Sequence, residues 1–349
     1  MTLTETIQQI RPVDEGAREA AWKHWDAIAK PLRSLGKLEA VVAQIASIQG
    51  TPRVDISKKA LITMCADNGV VEEGVTQTGQ EVTAQVAENF LSEKATAAIL
   101  CRMAGAEILP VDIGVYRDTC IRNCKISYGT KNMAKEPAMS REDAVRAIET
   151  GIMIAEEKHK EGCRLLATGE MGIGNTTTSS AIASVFLDRP VEDMTGRGAG
   201  LSSEGLARKI LTIKKAIALH QPDPSDPLDV LSKVGGLDIA GMTGVFLGGA
   251  ALHIPVVTDG FISNVAALTA VRLCPEVGDY IIPSHVSKEP AAQLLLEALG
   301  KSAFLTCDMC LGEGTGAVVL FPILDMACEV YHSMKTFEEN DIEAYVHLK

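Results

Sequence analysis

The chain has no run of basic residues, no apolar stretch at the start of the sequence and no histidine near its close cysteine pairs, and each lack narrows what it can do. Against 45 acidic residues stand 33 Lys and Arg, a net charge of −12 at pH 7. Without a basic patch, nucleic acid and anionic membrane are not the expected partners. The start, "MTLTETIQQIRPVDEGAREAAWKHWD", is polar and acidic and lacks the apolar core of a signal peptide. Nine cysteines in such a chain point to a reducing, cytoplasmic compartment and free thiols. Cys307 and Cys310 form a CxxC, and Cys120 and Cys124 a CxxxC. A zinc site would take two such pairs brought together, or one pair with spaced histidines; histidines are lacking near either pair, so buried structural thiols and no metal are expected. Internal repeats and low-complexity segments are also absent.

The longest apolar window, Ile239–Val257, is long enough to raise the question of a membrane span. Glycines, His253 and Pro255 interrupt it, which predicts a buried helix over about 239–252 feeding a short strand "IPVV". The chain's 349 residues, 46% of them hydrophobic, suffice for one large domain and a smaller one.

The first ~57 residues read as helices, among them "GKLEAVVAQIASIQG", with Leu38, Val41, Val42, Ile45 and Ile48 at helical spacing and Gly50 at its end. An apolar strand over Ala60–Cys65 follows and stops at "ADNG". Strand and helix then alternate: "ATAAILCRMAG" helix, "EILPVDIGV" strand, a long helix capped by Ser140, and "RLLATGE" strand. The rhythm returns in "IPVVTDG" with "FISNVAALTAVRL", and in "DYIIP" with "EPAAQLLLEAL". Apolar strands alternating with helices predict an open, mostly parallel α/β sheet with helices on both faces, a Rossmann-like large domain over 58–322. Residues 1–57 and 323–349 fit the rhythm poorly and are expected to pack together as a small helical domain.

In such sheets ligands sit at the carboxyl ends of the strands, and four strands here end in polar, glycine-containing loops. In "GEMGIGNTTTSSAI", Gly172 and Gly174 permit close approach of a ligand, and Asn175 and Thr176 can cap the next helix. Free N–H groups there would suit a phosphate. Neither GxGxxG nor the Walker GK[ST] pattern matches, and a tight strand–helix turn with a self-capping helix is the alternative reading. In "MTGRGAGLSSEGLARKI", Gly196, Arg197, Gly198 and Lys209 make an anion cradle or a solvated loop. In "LGEGTGAVVLFPILDMA", Glu313 stands between glycines ahead of apolar residues, a setting for a general base with a raised pKa or for an exposed loop carboxylate. Glu170 has a similar setting at a strand end.

Taken in order, "SLGKLE" (34–39), "ADNGV" (66–70), "GVTQTGQEVT" (74–83), "VDIGV" (111–115), "PAMSREDA" (137–144), "TGEMGIGNTTTSSA" (168–181), "TGRGAGL" (195–201), "DGFISNVAAL" (259–268), "SHVSKEP" (284–290) and "LGEGTGA" (311–317) resemble one family over nearly the whole chain. It is the nicotinate-nucleotide:dimethylbenzimidazole phosphoribosyltransferase family, which makes the lower-ligand nucleotide of cobamides. The resemblance implies transfer of phosphoribose from nicotinate mononucleotide to a benzimidazole-type base, with no cofactor, by a homodimer. It assigns the base role to Glu313 and a place near the ribose to Glu170. The 5′-phosphate is expected on Gly174, Asn175 and Thr176, the loop Gly196–Arg197–Gly198, and Lys209. Gln80 and Leu311 match positions near the aromatic base. Where many members have histidine in the "ADHGV" stretch this chain has Asn68, which bears on the base pocket. A non-catalytic scaffold subunit and a dehydrogenase are the competing readings. Both carboxylates are present against the first, and the dinucleotide fingerprint is missing for the second.

Overall fold

Strands that are apolar on both faces need helices on both sides, and this chain supplies them. In the computed structural model, which describes residues 1–345, six strands form one all-parallel sheet. They are β1 (Lys59–Ala66), β2 (Glu107–Gly114), β3 (Arg122–Asn123), β4 (Leu165–Met171), β5 (Val256–Thr258) and β6 (Ile281–Pro283). Their order is β3-β2-β1-β4-β5-β6. From β1 the chain moves outward to β2 and β3, then returns to place β4 on the other side of β1. A crevice opens at the carboxyl ends where the direction of winding reverses, which is where such sheets take ligands. Met64 of β1 pairs with Val111 on one side and with Glu170 on the other, so a carboxylate sits directly at that reversal.

The sheet and its flanking helices agree with the open α/β architecture expected from the alternation. The glycine-rich apolar window is the buried helix Leu237–Ala251. It packs against helix Arg141–Lys160 so closely that a Cβ on Gly244 would lie 1.9 Å from the Ile148 carbonyl oxygen. Here the glycines serve helix–helix contact, and among the described residues no helix is long and apolar enough to cross a membrane. Ser140 does cap helix Arg141–Lys160, its hydroxyl accepting from the Asp143 N–H at 3.0 Å.

On the other face lie helices Lys37–Gln49, Glu81–Leu91, Thr96–Met103 and Thr315–Ser333. The two chain ends meet there. Trp25 is fully buried with its ring 4.9 Å from that of Tyr331, and Ile28 bridges to Thr336. Trp25, Ile28 and Tyr331 share one apolar cluster with Leu61, Cys65, Leu165 and Val257 of the sheet, and helix Thr315–Ser333 runs unbroken through position 323. Two features escape periodicity altogether. Edge strand β3 has two residues, and helix Pro227–Val234, started by Asp226, has eight.

Candidate active site

A cavity of about 290 Å³ opens at the carboxyl ends of β4, β5 and β6. Its wall is built from Val75–Thr78, Val86, Glu170–Thr176, Arg197–Ala199, Leu201, Lys209, Asp259–Ser263, His285, Ser287, Glu289 and Cys310–Glu313. Three separate loops expected to carry chemistry thus converge on one space.

The turn after β4 is made by Gly174, whose φ of +96° only glycine adopts freely, and helix Asn175–Leu187 starts on it. Asn175 and Thr176 do not cap this helix as expected, because Gly174 holds the cap position and makes no side-chain bond there. Their side chains serve the site instead. The Asn175 amide donates to the carboxylate of Glu170 and, at 3.0 Å, to that of Asp238. The Thr176 hydroxyl accepts at 2.8 Å from Lys209 Nζ.

Lys209 is 1% exposed and also donates to the Gly196 carbonyl at 3.2 Å. Burial pulls its pKa down to about 8 while the nearby Glu289 carboxylate opposes the shift. Both of its hydrogen-bond partners, the Thr176 hydroxyl and the Gly196 carbonyl, are neutral. Gly196 itself stands just outside the wall; a Cβ there would lie 2.0 Å from a Glu289 carboxylate oxygen. Arg197 reaches the wall, but its guanidinium closes its own loop, donating to the Leu201 carbonyl at 2.7 Å and to the Ser203 hydroxyl at 3.2 Å.

Glu313 has a φ of +63° between Gly312 and Gly314, both also left-handed. Its carboxylate accepts from the Ala97 N–H at 3.0 Å, in the first turn of helix Thr96–Met103. Burial raises its pKa, opposed by the backbone N–H groups of Ala97 and Thr96. Gly312 lets the two carboxylates share the space: a Cβ there would lie 2.4 Å from Glu170 Oε1. Burial, with Asp238 next in weight, pushes the Glu170 carboxyl up to about 8. Leu311 is exposed at the cavity rim.

Two sequence expectations move. Gln80 already has helical dihedrals (φ −66°, ψ −17°) at the start of helix Glu81–Leu91 and stands outside the wall, where Val75–Thr78 line it instead. Asn68 is fully buried beneath the glycine turn, its Oδ1 accepting from the Thr178 hydroxyl at 3.4 Å, and it does not line the cavity. A Cβ on Gly174 would lie 3.2 Å from the Asn68 Cβ, so this residue supports the turn from below.

Sequence reasoning missed Asp238, Asp259, His285 and Glu289. Asp238 had a readable signal, a carboxylate at the start of an otherwise apolar buried helix. Asp259 and His285 sit in the strand-end loops "TDGFISN" and "SHVSKEP", where nothing local separates a ligand contact from a structural one. Burial pushes the carboxyl of Asp238 up to about 6 and that of Asp259 up to about 7. It pushes the His285 imidazole down, with the Met309 backbone opposing. The β4 and β5 side of the cavity is therefore rich in buried carboxyl groups, while the buried ammonium of Lys209 enters from helix Ser203–His220.

A glycine turn, a buried lysine and two carboxylates thus line one cavity at the carboxyl ends of a parallel sheet, and the family model described as Phosphoribosyltransferase matches residues 10–342. Similar proteins carry a fuller name. Nicotinate-nucleotide–dimethylbenzimidazole phosphoribosyltransferase of Acetivibrio thermocellus is 49% identical over 346 residues, covering 98% of this chain and 99% of that protein. Its counterpart in Chloroflexus aggregans is 47% identical, with 97% of each chain covered. The crystal structure of CobT from Thermus thermophilus superposes with a TM-score of 0.90 at 37% identity, over 95% of this chain and 100% of that one. The chain belongs to the nicotinate-nucleotide–dimethylbenzimidazole phosphoribosyltransferase family.

Proposed function

We infer that the cavity transfers the 5-phosphoribosyl group of nicotinate mononucleotide to a ring nitrogen of 5,6-dimethylbenzimidazole or a related base, with Glu313 as general base. In this reaction the leaving nicotinate is already a pyridinium, so its departure needs no acid. The entering ring nitrogen attacks C1′, and the other ring N–H becomes acidic as the new C–N bond forms. One positioned carboxylate completes the chemistry by taking that proton. Glu170 lies beside the ribose and offsets positive charge growing at C1′. The 5′-phosphate rests on the Gly174–Asn175–Thr176 turn and the Gly196–Arg197–Gly198 loop, with Lys209 as its counter-charge. Leu311, with Val86 and Phe261, offers apolar wall to the flat base.

The observation that carries this reading is that Glu313, Glu170 and Lys209, from three distant parts of the chain, line one cavity. Glu313→Gln keeps shape and removes basicity. With nicotinate mononucleotide and dimethylbenzimidazole, nicotinate release by the purified variant is expected to fall roughly 10²–10⁴-fold in kcat. Nucleotide affinity is expected to stay unchanged, and activity within threefold of the parent enzyme rejects the assignment. A cytoplasmic homodimer accompanies the reading. Exposed Leu91, Ile99 and Met103 on neighbouring helices, Met103 at 79% exposure, supply apolar surface for a second copy.

A further inference from the structure

We propose that Asp259 is a positioning residue that holds the turn presenting Glu313 to the substrate. This rests on the reading of Glu313 as the base and adds a residue that acts only through it.

Gly312, Glu313 and Gly314 form three consecutive left-handed residues, with φ of +89°, +63° and +87°. A glutamate in that conformation persists only where its surroundings over-determine it. Asp259, one residue past β5, does so from the sheet. Its Oδ2 accepts from the Gly314 N–H at 3.0 Å and its Oδ1 from the Gly316 N–H at 2.7 Å. Both oxygens are thereby committed to the backbone that flanks Glu313. The same N–H groups open helix Thr315–Ser333, where a carboxylate is favoured by the helix dipole.

The remaining restraints point the same way. β4 meets the turn from below, since a Cβ on Gly169 would lie 2.5 Å from the Glu313 carbonyl oxygen. The Thr315 N–H and hydroxyl both bond the Gly312 carbonyl, at 3.0 and 2.9 Å. His285 closes the remaining side. Its Nδ1 lies 3.0 Å from the Ser284 hydroxyl and 3.9 Å from Asp259, and a Cβ on Gly316 would lie 2.0 Å from it. With the backbone clamped between β4 and β5, the Glu313 carboxylate reaches the Ala97 N–H and the cavity together.

An asparagine at 259 keeps the shape but offers one acceptor and one N–H₂ donor to two backbone donors. One of the two bonds becomes a donor–donor contact, and the turn is freed. Asp259 also lines the cavity, so direct contact with the pyridinium or ribose of the nucleotide is the rival role, and a KM-against-kcat split separates the two. For Asp259→Asn, kcat is expected to fall about 10–100-fold with the KM for nicotinate mononucleotide within twofold.

The decisive measurement is the cycle with Glu313→Gln. If Asp259 acts through Glu313, adding Asp259→Asn to Glu313→Gln costs less than about threefold more, far from the product of the two single losses. Multiplicative losses, or a tenfold rise in nucleotide KM with kcat intact, overturn the proposal. Should Asp259→Asn not yield folded protein, Asp259→Glu is the second variant: it keeps both acceptor oxygens and displaces the turn. Its kcat is expected to fall at least tenfold while its circular dichroism matches the parent, and parental kcat overturns the proposal. A Glu313→Gln enzyme that itself works within threefold of the parent defeats the base reading instead, so the two failures are told apart.

Discussion

Lys209→Met removes a charge and little else. The thioether follows the path of the lysine stem, so the packing of a side chain only 1% exposed is largely kept. What is lost is an ammonium whose bonds go to the Thr176 hydroxyl and the Gly196 carbonyl, both neutral. Those bonds recover part of its desolvation, and its pKa still lies near 8 through burial. A phosphate on the Gly174 turn would change this balance by giving the ammonium an ionic partner. A hydrogen bond to a charged group contributes about 1.5–3 kcal/mol, and each ~1.4 kcal/mol is tenfold. The variant is therefore expected to lose roughly 10–100-fold in kcat/KM for nicotinate mononucleotide. The KM for the base is expected to stay within a few-fold.

Steady-state kinetics on both substrates test this, and a truncated substrate makes the test specific. With nicotinate riboside, which lacks the 5′-phosphate, parent enzyme and Lys209→Met should be equally slow. If the variant is unimpaired with the nucleotide, or equally impaired with the riboside, Lys209 does not serve the phosphate.

Two further outcomes follow from the site. The wall around Leu311, Val86, Phe261 and Ile262 is apolar, and such walls discriminate a methyl group by only about 1–3 kcal/mol. Several benzimidazoles are accordingly expected to react within about a hundredfold of each other in kcat/KM, and strict use of one base would contradict the wall assignment. Gly174→Ala forces a φ of +96° on a residue with a Cβ, which would also lie 2.9 Å from Val71 Cγ2. A loss of about 1–3 kcal/mol in urea unfolding is expected, and a loss below about 0.5 kcal/mol would show that the turn relaxes freely.

The alternation of strand and helix was legible because β1 and β4 are buried along almost their whole length and carry the apolar residues this demands. Strand order was not, since it depends on which helices cover which face, and those contacts join residues far apart in sequence. The glycine turns could be read locally, because positive φ is a property of one residue. Asn175 was misread as a cap for the opposite reason. Its second partner, Asp238, lies 63 residues on, at the start of another helix. Gln80, expected near the aromatic base, lies outside the cavity wall because the loop "TQTGQ" turns into helix just there, and element boundaries are the least readable feature of a sequence. Asp259 was quoted within a motif yet left without a role, because its two hydrogen bonds reach across more than fifty residues to Gly314 and Gly316.

The carboxyl groups on the β4 and β5 side give the site a pH signature whose sign can be worked out. In the folded protein Glu170 titrates near 8, raised by burial, and an unfolded chain would release that proton near 4.5. Between those values the folded state holds a proton that the unfolded state has lost, so this group's contribution to stability declines as pH rises through the window. Asp259, raised to about 7, adds to the same trend. A ligand bearing a pyridinium reverses it. A positive charge brought beside Glu170 favours the ionised form, so the proton leaves when the nucleotide binds. Affinity for nicotinate mononucleotide is therefore expected to rise with pH towards about 8 as Glu170 ionises, and to fall above it as Lys209, whose pKa burial holds near 8, loses the charge that meets the phosphate. Calorimetry at pH 7.5 in Tris and in HEPES, whose ionisation enthalpies differ, reads the proton count. Net release of a fraction of a proton is expected for the parent enzyme, because uptake by Lys209 offsets part of what Glu170 gives up, and no net release for Glu170→Gln, which also controls for titration of the nucleotide's own phosphate. Equal binding enthalpies in the two buffers, or release undiminished in Glu170→Gln, would show that the buried carboxyl is already ionised before the nucleotide arrives.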